Sequence, residues 1–186
     1  MYFADKFQLN HENGIFIGLY LAEGNTHKSA VCITNREPSI ISFVQSWFTK
    51  FNIPYVNRER INKIGGVSST TSGSCILLSR FLDQFVGRLA HNKYVPTEAF
   101  TAPEEFITGL LSGYFSGDGT IGRGTIEASS CSERLIEGIS MLCNRIGIFG
   151  KMSKSQLKKN NFGTKSIKPT YRFAIRANWG NMFKER

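Results

Sequence analysis

The chain has 186 residues, enough to bury one substantial core in a single domain or in two small fused ones. Its 41% hydrophobic and 12% aromatic content excludes a disordered chain and is typical of a soluble globular protein. The sequence has no apolar run long enough to span a bilayer and no signal-peptide pattern at its N-terminus, so we expect an intracellular protein without a membrane partner.

The formal net charge is +9, and the basic residues are concentrated towards the C-terminus. No Asp or Glu occurs from Gly138 to Lys184, whereas ten Lys and Arg residues fall in that interval. The alternative to a binding surface is a basic surface that serves only solubility. Because a surface of one sign repels itself, a partner with a phosphate backbone is the favoured interpretation.

The first predicted element is a helix over 15–23, in which Gly18 and Ala22 leave a narrow, flat face. Gly24 follows the helix end, where a glycine is free to adopt positive φ. A β-rich stretch around 29–35 comes next.

An amphipathic helix follows, for which Pro38 suits the first turn. Its apolar face is formed by Ile40, Val44, Trp47, Phe48 and Phe51. Segments 55–64 and 66–78 then predict a β-hairpin, and 79–90 predicts a helix that closes the first half.

The whole pattern recurs after a shift of 95 residues. The segment "GLYLAEGN" (18–25) falls on "GYFSGDGT" (113–120), so that Glu23 matches Asp118. The register continues without a gap, which two chance acid–glycine pairs would not produce. The sequence therefore predicts two copies of one structural unit.

The second copy offers the same elements. A helix over 106–118 is followed by Gly119, which like Gly24 is free to adopt positive φ, and Ser132 is a suitable N-cap for an amphipathic helix. The apolar face of that helix is formed by Leu135, Ile139, Leu142, Cys143 and Ile146. Segments 151–159 and 169–176 predict a hairpin around the Gly/Asn/Lys-rich loop 160–168.

These elements predict an α+β fold of two αββαββα halves related by a pseudo-two-fold axis. The halves are residues 1–91 and 106–186, and the linker is 92–105, which carries two prolines. The cysteines have no CxxC spacing and the three histidines are scattered, so we expect free thiols rather than a zinc site. The cysteines are Cys32, Cys75, Cys131 and Cys143.

Glu23 and Asp118 end their helices, where the macrodipole disfavours a carboxylate. If the pseudo-two-fold axis runs between these helices, the two carboxylates lie side by side and repel each other unless a cation is shared. Hard oxygen ligands completed by water suit Mg²⁺, which in a basic protein indicates phosphodiester hydrolysis. The alternative for each copy is an ordinary acid–glycine turn.

The segments "FIGLYLAEGN" (16–25) and "LLSGYFSGDGTI" (110–121) resemble the two signature helices of the LAGLIDADG (dodecapeptide, DOD-type) homing endonucleases. The chain is most similar to the endonuclease domain carried inside inteins. Three further stretches support the resemblance, namely "AHNKYVP" (90–96), 126–152 and 171–183.

The resemblance implies a monomer with two curved sheets that form a saddle along the major groove of double-stranded DNA with a long recognition site. Both strands would be cut across the minor groove with Mg²⁺, as two or three ions, and with Mn²⁺ able to substitute. Glu23 and Asp118 match the metal-binding acids, while Ala22 and Gly117 match residues that add backbone carbonyls. Lys93 matches the lysine of the catalytic centre.

Basic and polar side chains alternate along the predicted hairpins, as major-groove reading requires, although the sequence leaves open which face meets DNA. The candidate DNA-binding residues are Lys28, Arg58, Arg60, Lys63, Arg123, Lys151, Lys154, Lys158, Arg172 and Arg176.

Two departures from the family pattern qualify this prediction. The chain opens with Met1-Tyr2 and ends in "MFKER", so it lacks the splicing residues and is expected to be an excised or free-standing endonuclease. Aligning Phe85 with Phe183 places the counterpart of Lys93 beyond Arg186, which predicts weakened cutting or nicking. The alternatives are an inactive DNA-binding relative and a maturase-like RNA-binding protein; a transcription regulator would need a further domain.

Overall fold

The computed structural model describes residues 6–61, 66–122, 124–155, 169–176 and 179–180. In the first half it contains α1 (His11–Glu23), β1 (Gly24–His27), β2 (Ala30–Asn35), α2 (Pro38–Lys50), β3 (Tyr55–Ile61), β4 (Val67–Ser74) and α3 (Ile76–Phe85). A short 3₁₀ helix (Thr97–Phe100) precedes α4 (Glu104–Asp118), β5 (Thr120–Gly122), β6 (Thr125–Ser130), α5 (Glu133–Arg145), β7 (Gly150–Ser155) and β8 (Thr170–Arg176). The predicted loop 160–168 lies outside the described residues.

The strands form two four-stranded antiparallel sheets with the same topology, β1-β2-β4-β3 in one and β5-β6-β8-β7 in the other. Strands β2 and β6, and helices α2 and α5, have bounds that differ by 95 residues at both ends. The α+β fold of two repeated halves, and both predicted hairpins, are thus confirmed.

Helices α1 and α4 pack with their backbones in direct contact. A Cβ built on Gly18 would lie 2.1 Å from the carbonyl oxygen of Leu110, and one built on Gly113 would lie 2.2 Å from that of Ile15. Because no Cβ tolerates such distances, glycine is required on both sides of this contact. The small residues read from the sequence therefore hold the two halves together.

Several helices begin earlier than the sequence pattern predicts. Helix α1 starts at His11 rather than at residue 15, because the side chain of Asn10 accepts a hydrogen bond from the backbone N–H of Asn13 at 3.0 Å. Helix α4 starts at Glu104, directly after Pro103. Helix α3 covers 76–85 instead of 79–90, since the chain turns at Gly87 with φ of 83°.

The expectation of positive φ at the two helix-end glycines is wrong. Gly24 has φ −85° and ψ 155°, and Gly119 has φ −76° and ψ 142°, because the chain passes straight from each helix into an extended strand. These positions require glycine because there is no room for a side chain. A Cβ on Gly24 would lie 2.4 Å from Cδ2 of Tyr20, and one on Gly119 would lie 2.1 Å from the Phe115 carbonyl oxygen.

One hydrophobic core extends through both halves and includes Trp47 and Phe48 from α2, together with Leu142 and Cys143 from α5. The predicted linker is packed against this core rather than exposed, with Val95, Ala99 and Ala102 buried. All four cysteines are free thiols, as predicted. Among the described residues, no helix is both long and apolar enough to cross a membrane.

Candidate active site

Glu23 and Asp118 are the last residues of the two close-packed helices. A Cβ built on Gly117 would lie 2.5 Å from the Cβ of Ala22 and 3.3 Å from Cγ of Glu23. The residues preceding the two acids thus face each other across the helix interface. The structure brings together the four positions at which a metal site was predicted.

The two carboxylates share an electrostatically unfavourable environment. Burial, followed by the charge of Glu23, raises the pKa of Asp118 to about 6, against the opposing charge of Lys93. Burial also raises the pKa of Glu23, while Lys93 and Arg36 counteract the rise. Without another cation, the protein therefore disfavours ionisation of both acids, and Asp118 holds its proton below about pH 6.

Lys93 lies beneath the end of α1 and is only 4% exposed. Its ammonium donates to the carbonyl oxygens of Tyr20 at 2.7 Å, Leu21 at 3.0 Å and Gly24 at 2.7 Å. Burial lowers the pKa of Lys93 to about 8, although Asp118 and Glu23 favour its charged form. An ammonium has three protons to donate, and all three are accepted by these carbonyls.

The backbone of Lys93 reaches the second half of the molecule. Its carbonyl oxygen accepts a hydrogen bond from Oγ of Ser132 at 2.6 Å. The same Oγ accepts from the N–H of Leu135 at 3.3 Å, which is the N-cap predicted for α5. One linker residue therefore ties the end of α1 to the start of α5, a role for which the sequence gives no local signal.

A cavity of about 500 Å³ opens beside the carboxylate of Glu23. Its lining includes Glu23 and Gly117 from the helix ends, and Thr34, Arg36 and Glu37 from the junction of β2 and α2. Sequence reasoning did not single out Arg36. Its one available signal was its place directly after a strand that aligns with β6.

The open face of the first sheet carries two of the predicted DNA-binding residues. Val31 and Ile33 point into the core, and a cavity of about 570 Å³ lies on the opposite face of the sheet. Arg58 and Arg60 line that cavity. They pair across the strands with Thr70 and Ser68, so polar and basic side chains alternate there.

The open face of the second sheet is also basic. Phe173 and Ile175 of β8 are buried, while Arg172 and Arg176 point to the other side and are exposed. Lys151 pairs with Ala174 and shares their face. A salt bridge of 3.5 Å joins Arg172 to Glu127 on this surface.

Not every predicted basic residue lies on an open face. Lys154 pairs with Tyr171, and its Nζ lies 5.1 Å from the centroid of the Tyr171 ring, on the side of the sheet opposite Arg172. Lys28 lies at the β1–β2 turn with φ of 54°. Lys63, Arg123 and Lys158 lie outside the described residues.

The carboxylate oxygens of Glu23 and Asp118 suit a hard cation better than a transition metal. Within the described ranges, no group of three or more His, Cys, Asp or Glu side chains is placed to hold a metal ion. The candidate ligands are the two adjacent carboxylates, and the cavity beside Glu23 has room for water. Few protein oxygens completed by water are the ligands that Mg²⁺ uses.

Comparison with known proteins identifies the family. A model of the LAGLIDADG-like domain matches residues 10–85 and 105–172, so the chain belongs to this family, as the sequence predicted. The structure of the homing endonuclease I-DmoI in complex with DNA and Mn has a similar fold, with a TM-score of 0.66 at 12% identity and 96% of each chain covered.

Two archaeal polymerases are similar in sequence. The DNA-directed RNA polymerase subunit Rpo1C of Methanocaldococcus jannaschii is 33% identical over 160 residues, which cover 85% of this chain. A DNA polymerase of Thermococcus sp. (strain GE8) is 29% identical over 142 residues, which cover 71% of this chain. The chain spans only 18% of the length of the first protein and 8% of the second.

Proposed function

We propose that this LAGLIDADG-like protein is a site-specific endodeoxyribonuclease that hydrolyses both strands of a DNA duplex. The observation that carries the proposal is the placement of Glu23 and Asp118. They end two helices in backbone contact, with a basic, open sheet face in each half of the chain. Paired acids between two phosphate-binding surfaces are what phosphodiester hydrolysis requires.

The two open faces supply the binding surface. Arg58 and Arg60 in the first half, and Lys151, Arg172 and Arg176 in the second, attract the phosphate backbone and present long side chains to the major groove. Because the two halves belong to one chain, a monomer covers a long, pseudo-symmetric site. Lys154 is not among the proposed contacts, since it lies on the opposite face.

Glu23 and Asp118 would hold Mg²⁺, or Mn²⁺ in its place, with backbone carbonyls of Ala22 and Gly117 as further ligands. When bound, such ions lower the pKa of water and stabilise the leaving oxygen. The chain's own contribution is to hold the two acids adjacent, where a bound cation would favour their ionised forms. Lys93 contributes by fixing the last carbonyls of α1, and thereby the position of Glu23.

The relatives support an origin as a mobile insert. Two polymerases of different kinds each contain a segment similar to this chain, and in both it is a minor part of the protein. A segment shared by otherwise different hosts is expected of an intein endonuclease domain. We therefore propose that the chain is such a domain or a free-standing relative of one.

The proposal is tested by selecting cleaved sites from a library of random duplex DNA with Mg²⁺ present. We expect Mg²⁺-dependent cutting at one long site, and loss of that cutting by at least ~100-fold in Glu23→Gln and Asp118→Asn. Glu137→Gln, which changes an exposed carboxylate on α5, away from the two open sheet faces, is the matched control and should cut normally. Unchanged cutting in both acid variants would overturn the assignment of these residues.

Equilibrium binding to duplex DNA and to structured intron RNA, with and without Mg²⁺, distinguishes the two alternatives. Duplex binding without cutting would identify a DNA-binding relative that lacks nuclease activity. Stronger binding to structured intron RNA than to duplex DNA, again without cutting, would identify a maturase-like protein.

A further inference from the structure

The cavity beside Glu23 is lined by a positively charged side chain, Arg36, that is available to bind a phosphate. Arg36 lies between β2 and α2, where Oδ1 of Asn35 accepts hydrogen bonds from the backbone N–H groups of Arg36 at 2.7 Å and Glu37 at 2.9 Å. The backbone at this position is therefore fixed. Among the described residues, no hydrogen bond or ion pair engages the Arg36 guanidinium, although Glu37 lines the same cavity.

In the part of the chain that the structure describes, Lys93 is the other cation whose charge acts on the carboxylates, and it is already engaged. Lys93 is buried and donates all three of its ammonium protons to carbonyl oxygens of α1 and Gly24. A contact between Lys93 and a phosphate would require breaking one of these bonds inside a buried site, which is unfavourable. Arg36, by contrast, is exposed and presents a planar set of donors that matches phosphate geometry.

The second half has no such cation at the matching place. The flanking elements keep the 95-residue shift, since β2 (Ala30–Asn35) matches β6 (Thr125–Ser130) and α2 (Pro38–Lys50) matches α5 (Glu133–Arg145). The residue that corresponds to Arg36 is therefore Cys131. It is a half-buried free thiol, and it carries no positive charge.

We propose that Arg36 contacts the scissile phosphate of one DNA strand only, and that the strand facing Cys131 is cut without an equivalent contact. This inference rests on the proposed nuclease function. It makes the catalytic centres of the two protein halves unequal, although the helices and acids that form them are related by the repeat. The strand next to Arg36 is cut first, and a nicked duplex precedes the double-strand break.

The expected size of the effect follows from comparable groups. Removing one donor that stabilises charge developing in a transition state slows catalysis by roughly 100- to 1,000-fold in well-studied enzymes. Arg36 is exposed to solvent, so we expect a smaller effect, of at least about 10-fold on one strand. Binding of the uncut site should change by less than about 3-fold, because the contact strengthens only as charge develops on the phosphate during cutting.

The test uses the duplex site selected with the wild-type protein, with each strand end-labelled in turn. Single-turnover cutting of both strands is followed with Mg²⁺ for the wild type, Arg36→Gln, Arg36→Lys and Cys131→Ser. Affinity for the same uncut duplex is measured in EDTA. We expect Arg36→Gln to slow the strand that the wild type cuts first, Arg36→Lys to recover part of that rate, and Cys131→Ser to leave both rates unchanged.

Slowing of both strands to the same extent, or of neither, would overturn the inference while leaving the proposed function intact. A matching loss of affinity in EDTA would also overturn it, because it would place Arg36 in binding rather than in cutting. A wild-type protein that cuts neither strand would overturn the proposed function, and this inference with it.

Discussion

The ammonium group of Lys93 donates a hydrogen bond to the carbonyl oxygen of Gly24 at 2.7 Å, across the junction where α1 becomes β1. Two further bonds reach the carbonyls of Tyr20 and Leu21. Carbonyls at a helix end have no partner within the helix and need one from elsewhere. Here a linker residue supplies it, directly behind the acid that ends the helix.

Replacing Lys93 with methionine removes one donor from each of three carbonyl oxygens, of which that of Tyr20 keeps the backbone N–H of Gly24 as a partner. A buried polar group without a partner costs about 1–3 kcal/mol, so we expect the free energy of unfolding to fall by about 3 kcal/mol in total. Urea unfolding of Lys93→Met measures the change. Lys151→Met, which alters an exposed lysine on β7, is the control and should lose less than about 0.5 kcal/mol. Equal stabilities of the two variants would contradict the capping role.

Replacing Gly18 with alanine forces α1 and α4 apart, because the new Cβ would lie 2.1 Å from the Leu110 carbonyl oxygen. We expect a loss of about 3 kcal/mol or more, or failure to fold. Gly122→Ala is the matched control, since a Cβ there meets nothing within 4 Å. Thermal unfolding compares the two, and similar melting temperatures would show that the helices are not packed as described.

Replacing Asp118 with asparagine should stabilise the metal-free protein above pH 6. The folded state raises the pKa of Asp118 from 3.8 to about 6, so its ionisation opposes folding, and the penalty develops as the pH rises between these values. The shift corresponds to about 3 kcal/mol at most; since Asp118 is partly exposed, we expect about 1–2 kcal/mol.

Urea unfolding in EDTA at pH 4.5 and pH 7.5 measures this difference. The advantage of Asp118→Asn over the wild type should be larger at pH 7.5 than at pH 4.5. Glu59→Gln, an exposed carboxylate, should show no such advantage. An asparagine variant that is less stable than the wild type at pH 7.5 would contradict the unfavourable charge pairing.

Added Mg²⁺ should relieve the same repulsion. We expect it to raise the melting temperature of the wild type at pH 7.5, with the effect fading below about pH 6, where Asp118 holds its proton. The double variant Glu23→Gln, Asp118→Asn should not respond. A response in the double variant equal to that of the wild type would place the ion elsewhere.

Replacing Arg58 and Arg60 with glutamine should weaken DNA binding and reduce its salt dependence. Each lost phosphate contact lowers the slope of log affinity against log salt by about 0.9, so a decrease of about 1–2 is expected. Lys154→Gln is the control, because Lys154 lies on the opposite face of its sheet. Titrations at several salt concentrations measure the slopes, and equal slopes for the two variants would exclude the open face as the binding surface.

Much of the fold could be predicted from the sequence because the same pattern of helices and strands occurs twice. A shift of 95 residues aligned Glu23 with Asp118, and the same shift relates β2 to β6 and α2 to α5 in the structure. Small residues in both predicted helices indicated a close contact, and Gly18 and Gly113 form it. Patterns that occur twice in register are informative where a single copy would not be.

What escaped sequence reasoning depends on contacts between distant segments. The three bonds of Lys93 join residues about 70 positions apart, and no local pattern encodes them. Arg36 gains its significance from a cavity formed with Glu23 and Gly117, which lie on different helices. The backbone of Gly24 is extended because a strand follows the helix directly. Glycine can adopt either extended or positive-φ conformations, so the residue type alone does not predict which one occurs.

At Gly18 and Gly113, the contact between α1 and α4 is made by main-chain atoms, since these glycines admit the facing carbonyls directly. Main-chain atoms are the same in every protein, so this contact places few demands on which residues surround it. Halves taken from two different relatives should therefore be able to form one working molecule, provided that the glycines and the Lys93–Ser132 link are kept. Under the proposed function, such hybrids would combine two target half-sites, and recombination between relatives would then generate new DNA targets.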